Sequence, residues 1–252
     1  MAWKDELNNA KKVFKNGTPK EKFEYVLEYY KWHIIIVLFV IYMIGSIIYN
    51  NVTAKDYVLR GLFLNAFSEE ETTQELEQNF INEFPIDTST QEVFFDTSLY
   101  YTSYSPDENS EISYQTVQVL TARVAAGEID FLIADDATLG EFCYSRYFYE
   151  LSDILTEEQM EKYEPYFLYY DKAVLEELDN LDYTSEELTK ISYPDPTRPD
   201  LMKDPVPVMI NISSNDKLSG IYPDYSKDYA FAFVVNAANV EKSLEFLDYL
   251  ME

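Results

Sequence analysis

The chain has one cysteine, Cys143, one histidine, His33, and six glycines among 252 residues. A single cysteine excludes an intramolecular disulfide, and apolar neighbours at helical spacing make Cys143 a small core hydrophobe. His33 sits at the edge of the most apolar stretch, so the rest of the chain holds no Ser-His or Cys-His pair. There is no G-x-S-x-G elbow and no G-x-x-x-x-G-K-[ST] loop, and glycines this scattered build no phosphate cradle. Positive charge is scarce. Residues 32–252 carry twelve Lys/Arg against forty-one Asp/Glu, a net of −29. Such a surface repels phosphate backbones and excludes nucleic acid as a partner, while cations, cationic surfaces and neutral polar ligands stay compatible with it. Among forty-one acids a carboxylate pair is found anywhere, so pairing alone says nothing of catalysis. The segment 107–111, DENSE, alternates oxygen ligands as a calcium loop does. Ile112 stands where the glycine belongs and Gln118 where the bidentate glutamate belongs. No catalytic residue, cofactor or metal site is expected.

One long run lacks charge altogether. Residues 32–49, WHIIIVLFVIYMIGSIIY, contain no Lys, Arg, Asp or Glu. Eighteen residues at about 1.5 Å each span about 27 Å, close to a bilayer core. Tyr29, Tyr30 and Trp32 flank one side and Tyr49 the other, as an aromatic belt does. The 31 residues before the run are long for a signal peptide, and no A-x-A site follows. The expectation is an uncleaved signal-anchor over 32–50. Seven lysines precede it and only Lys55 and Arg60 closely follow, so residues 1–31 are expected in the cytoplasm and 51–252 outside. Thr18-Pro19-Lys20-Glu21 predicts a capped helix start. Phe23, Val26, Leu27 and Tyr30 then form one face of a juxtamembrane helix.

Beyond the run, strands are predicted at 56–64, 92–101 and 129–134 and helices at 68–84 and 112–126, with a turn at 106–109. Ser68 is the expected cap of the first helix, and Gly127 the expected stop of the second. Asp136 or Thr138 would cap a further helix. A helix over 156–167 opens on a capping box at Thr156. Apolar runs follow at 205–213 and 229–237, and a last helix at 240–251. The segment 184–205 reads as a loop, and 160–205 as either a reduced second lobe or a long excursion. The alternation predicts an α/β domain with a mostly parallel sheet and flanking helices, preceded by one transmembrane helix.

The stretch LTARVAAGEIDFLIADDATLGEFCYSRYFYELSDIL, with Ala126, Gly127, Asp130, Phe148, Leu151, Asp153 and Leu155, resembles the first-lobe segment of bacterial extracellular solute-binding proteins of ABC importers, the type 2 periplasmic-binding fold. NAANVEKSLEFLDYLME (236–252) resembles that family's returning segment. The likeness covers about 55–252. It implies one solute-binding-protein-like lobe and a binding function. Family members have two lobes and are lipid-anchored or free, whereas about 200 residues follow the apolar run here.

Ligands of open α/β sheets bind beyond the carboxyl ends of the strands. That rule nominates Asn65, Asp135, Asp136 and Thr138 as hydrogen-bonding groups and Tyr100 and Tyr101 as stacking surfaces. The competing reading has Asp136 or Thr138 capping a helix and the tyrosines as ordinary surface residues. The expected function is display of an acidic, non-enzymatic binding domain for a surface protein. The alternative is a receptor for a sugar or other polar solute, serving a transporter.

Overall fold

The structure is a computed structural model that describes residues 11–12, 14–102, 110–180, 193–213, 215–222 and 228–252. It divides into two units, Met1–Ala54 and Lys55–Glu252. The turn expected at 106–109 and most of the calcium-like segment lie outside the described residues.

The first unit contains the helix α1 (Pro19–Thr53), 35 residues long. Its start follows from the sequence: the Thr18 hydroxyl accepts from the Glu21 N–H, and the Glu21 carboxylate accepts from the Thr18 N–H at 2.8 Å. Within it, Tyr30–Asn50 form 21 residues of mean hydropathy 2.2 with none of them buried, long and apolar enough to cross a membrane.

The second unit is an α/β domain. Its elements are β1 (Asp56–Phe63), α2 (Glu70–Glu83), β2 (Gln91–Asp96), α3 (Ser110–Ala125), β3 (Phe131–Asp135), α4 (Asp136–Cys143), α5 (Leu151–Ile154), α6 (Glu157–Tyr163), β4 (Phe167–Asp171), α7 (Lys172–Asp179), β5 (Pro205–Asn211), β6 (Tyr229–Phe233) and α8 (Val240–Met251). All six described strands share one sheet, in the order β2-β1-β3-β6-β5-β4.

The expected mostly parallel sheet is corrected. β1 pairs with β2 and β3 in parallel, as the alternation predicts, but β3–β6, β5–β6 and β4–β5 are antiparallel. A parallel return needs a crossover, normally a helix. The described part of the β5–β6 connection has only a short turn of 3-10 helix at Asp216–Leu218. Phe167 was expected to end a helix. The helix stops at Tyr163, a 3-10 turn at Glu164–Tyr166 intervenes, and Phe167 opens the edge strand β4. The described part of 160–205 thus returns to the same sheet, with no second sheet among the described residues.

Both faces of the sheet are covered. On one, Leu76 and Phe80 of α2 and Phe246, Leu247 and Leu250 of α8 meet Phe63, Phe95, Phe131, Phe231 and Phe233. The Phe131 ring stacks on Phe231 and Phe246 with centroids 4.8 and 4.9 Å apart. Gly61 makes room for it, because a Cβ there would lie 2.2 Å from the Phe131 ring. On the other face, Leu120 and Val124 of α3 and Leu139, Phe142 and Cys143 of α4 pack on Leu62, Leu132 and Ala232. Cys143 is buried in this layer, and burial drives its thiol pKa up.

One polar contact fixes the amino end of β3 against the middle of β1 and the start of α8. Asp130, fully buried, accepts from the Arg60 N–H at 2.7 Å through one oxygen and from the Asn239 N–H at 3.0 Å through the other. The Arg60 guanidinium lies beside it and donates to the Gly127 carbonyl. Gly127 has φ +64°, and a Cβ on it would meet the Asn236 carbonyl at 2.7 Å. Asp130→Ala leaves Arg60 and two buried N–H groups without their acceptor and is expected to lower unfolding stability by about 3–5 kcal/mol in denaturant titration.

Candidate functional site

β1 connects sideways to β2, and the chain then crosses back through α3 to β3 on the other side of β1. The carboxyl ends of β1 and β3 therefore flank the switch point where open α/β sheets form their crevice. In this chain that crevice is filled from within. The fully buried Tyr222 hydroxyl reaches the Leu64 carbonyl at 3.0 Å and the Ile133 carbonyl at 2.8 Å, shared between them. The Tyr222 ring stacks on Tyr229 with centroids 4.2 Å apart, and Phe67 N–H donates to the Ile221 carbonyl.

The nominated residues divide accordingly. Asn65 adopts φ 59°, and its side-chain oxygen accepts from the Tyr101 N–H at 2.7 Å. β2 ends at Asp96 and not at Tyr101: the Asp96 carboxylate accepts from the Ser98 N–H at 2.8 Å, a turn that takes the chain out of the ladder. The Tyr100 hydroxyl donates to the Ala66 carbonyl at 2.7 Å, and its ring, 38% exposed, meets Phe67 edge-on. The Tyr101 hydroxyl donates to Glu141 at 2.9 Å. Asp135 and Thr138 are buried. Asp135 is the N-cap of α4, accepting from the Thr138 N–H at 3.0 Å and the Thr138 hydroxyl at 2.9 Å. The cap is thus Asp135, one residue before Asp136, since Asp136 already has helical geometry. Ser68 likewise caps nothing: α2 starts after Glu69, and the Ser68 hydroxyl bonds that of Thr73.

Among the described residues, Asp136 lines an open pocket. A shelf of about 490 Å³ is formed by Asp136, Gly140 and Glu141 of α4 and by Tyr193, Asp195 and Pro196 of the loop before β5. That loop is tied to the edge of the sheet by the Tyr169 N–H, which donates to the Pro196 carbonyl at 2.9 Å. Tyr193 is 43% exposed and stacks on Tyr144, centroids 4.6 Å apart. The Tyr144 hydroxyl accepts from the Asp171 N–H at 3.1 Å, and burial lifts its pKa to about 12. Burial also raises the Asp136 pKa, and the charges of Asp228, Asp135 and Asp195 add to it. The result is a negative, half-sheltered surface with one stacking ring, suited to a cationic group. Among the described residues no cluster of three or more His, Cys, Asp or Glu has the arrangement of a metal site. Tyr193, Asp195 and Glu141 were not legible as a site; the one signal was Tyr-Pro-Asp-Pro at 193–196, two prolines that stiffen a short extended loop.

No protein-family model and no curated protein sequence matches the chain.

Carboxyl groups of both kinds set the response to pH. Glu77 and Asp136 have pKa values raised in the fold, chiefly by burial, so each binds protons more tightly folded than unfolded. For Asp171 burial acts upward, but the N–H groups of Lys203, Asp204 and Ala173 outweigh it and hold the carboxyl below its ordinary value. Asp96 is lowered in the same way by Ser98 and Arg123 against its burial. Stability should therefore rise as pH drops from about 7 towards the ordinary carboxylate range, and fall again below about pH 4 as Asp171 and Asp96 are protonated. Urea titrations across this range check it: Asp136→Asn should flatten the upper limb and Asp171→Asn the acid limb.

Proposed function

We propose that residues 51–252 are a non-enzymatic binding module, resembling one lobe of a solute-binding protein and held at the outer face of a membrane by α1. Its partner is a protein surface carrying Lys or Arg side chains, taken up on the shelf of Asp136, Glu141, Tyr193 and Asp195. The observation that carries this reading is Tyr222. With the switch-point crevice occupied by the chain's own hydroxyl, a small solute has no enclosed cleft there among the described residues, and the open shelf offers a surface instead. Burial of most of a small ligand normally needs a closed cavity. Charge supports the same partner class: a domain of net −29 attracts cationic surfaces over distance and speeds their encounter. The orientation rests on the seven lysines of residues 1–31 and on the apolar Tyr30–Asn50 segment.

The solute-receptor reading, with the chain serving an ABC transporter, has one observation in its favour, the shelf volume of about 490 Å³, within the range of small-ligand pockets.

Full-length protein in lipid nanodiscs separates the two. A lysine- and arginine-bearing peptide is expected to bind with strong salt dependence. The triple amide variant Asp136→Asn, Glu141→Gln, Asp195→Asn should weaken it by about tenfold or more, whereas amides at Glu70, Glu71 and Glu75 of α2 should leave it unchanged. Sugars and amino acids at millimolar levels should not raise the melting temperature; a ligand at 100 times its Kd would add about 2.7 kcal/mol. A rise with one of them, and no loss in the shelf variant, would favour the receptor. Protease added to intact cells should digest residues 51–252.

A further inference from the structure

We infer that the chain before α1 folds back as a basic hairpin that binds the anionic headgroups of the bilayer α1 enters. This rests on the proposed reading of Tyr30–Asn50 as a membrane span. Residues 11–12 and 14–16 are helical, Gly17 and Thr18 are not, and α1 starts at Pro19. In one unbroken helix residues 14 and 25 would stand about 16 Å apart along the axis, further than their two side chains reach. The Phe14 and Tyr25 rings instead meet edge to face, with centroids 6.0 Å apart. The chain therefore reverses at Gly17-Thr18 and runs back along α1 towards the apolar segment. Burial agrees. From Pro19 to Glu28 every residue of α1 is exposed except Lys22, Tyr25 and Val26, whose spacing puts them on one flank, the flank of the Phe14 contact.

The reversal moves positive charge. In a straight helix Lys11 would lie about 28 Å from Tyr30, more than three Debye lengths at physiological salt, each about 8 Å. Folded back, Phe14 stands level with Tyr25, which precedes Tyr30 by about 8 Å of helix. Lys11, Lys12 and Lys15 lie within one turn of Phe14 and come with it. The attraction of an anionic leaflet fades within a Debye length, so it acts on these lysines in the folded-back form.

The lysines are also left available. Lys11, Lys12 and Lys15 are exposed and form no ion pair among the described residues, and Lys31 is exposed where the apolar segment begins. The acids nearby are Glu21, Glu24 and Glu28. Glu21 accepts from the Thr18 N–H, Glu24 lies 3.9 Å from Lys20, and Glu28 is exposed. Their spacing sets all three on a different flank of α1 from Lys22, Tyr25 and Val26. A fold-back that served to neutralise the lysines would lie against those acids, and this one does not. Clusters of roughly four to eight Lys or Arg beside a span suit anionic headgroups.

The test uses the full-length chain in liposomes of phosphatidylcholine and phosphatidylglycerol, with the bound fraction of each read by spin-labelled lipid. Native protein is expected to favour phosphatidylglycerol by about fivefold or more, the worth of a single lysine at the surface, and to lose the preference in high salt. Lys11→Gln, Lys12→Gln and Lys15→Gln together should bring the ratio close to one. Phe14→Ser keeps every lysine and should still lower it by about twofold or more, as the segment leaves Tyr25 and the lysines leave the headgroup field. Equal binding of the two lipids by native protein overturns the inference, as does a preference that survives the triple variant. A preference lost in the triple variant but intact in Phe14→Ser overturns the hairpin and leaves lysine count alone. Both leaflets carry the anionic lipid, so the ratio reads the hairpin whichever way the chain inserts. Native protein that fails to float with the liposomes overturns the span, and the hairpin with it.

Discussion

The second unit depends on one carboxylate, that of Asp130. Its two oxygens hold the N–H of Arg60 in β1 and the N–H of Asn239 at the start of α8, and its own backbone joins Arg60 and Val234 across β3. Three segments far apart in sequence are thereby brought to one point at the amino end of β3. Apolar packing on both faces of the sheet supplies most of the driving force, but it is tolerant of sliding. A buried charge is not. It needs each donor in place, so it selects the arrangement in which β1, β3 and the β6–α8 turn meet. Gly127 completes the point, because only a residue without Cβ lets the end of α3 approach the Asn236 carbonyl.

The opposite pole of the sheet follows from the same economy of polar groups. The buried Leu64 carbonyl, just past the end of β1, needs a donor, and the Ile133 carbonyl, which already accepts from the Leu64 N–H at 2.9 Å, has a second lone pair to offer. In a clefted receptor, water or ligand can serve. Here Tyr222 does, and Asn65, Asp135 and Thr138 are likewise bonded to the chain itself. The polar residues that a rule about strand ends selects are then structural. Chemistry available to a partner moves outward, to Asp136, Glu141 and the 193–196 loop.

This explains what was legible in the sequence. The parallel half, β1 to β3 with α2 and α3, is written in alternating apolar runs and helical periods, and Gly127 marks its stop. The capping boxes at Thr18 and Thr156 and the last helix from Val240 were equally plain. Strand direction was not, because an apolar run such as YAFAF buries equally well either way; only the connection decides it. β4 was hidden because FLYYD follows a helical period with no break except Pro165. The cap of α4 was missed by one residue, since adjacent aspartates 135 and 136 offer the same chemistry and only backbone geometry separates them. Of the site, Asp136 was legible from strand ends. Its neighbours Tyr193 and Asp195 come from a loop nearly sixty residues on, a juxtaposition no local pattern encodes.

Charge gives the remaining constraint. An excess of acid this large sets up repulsion between like-charged surfaces, and most helices of the second unit carry part of it. The shelf concentrates negative charge where burial already makes it costly, as the raised pKa of Asp136 indicates, and an incoming cation would relieve that repulsion.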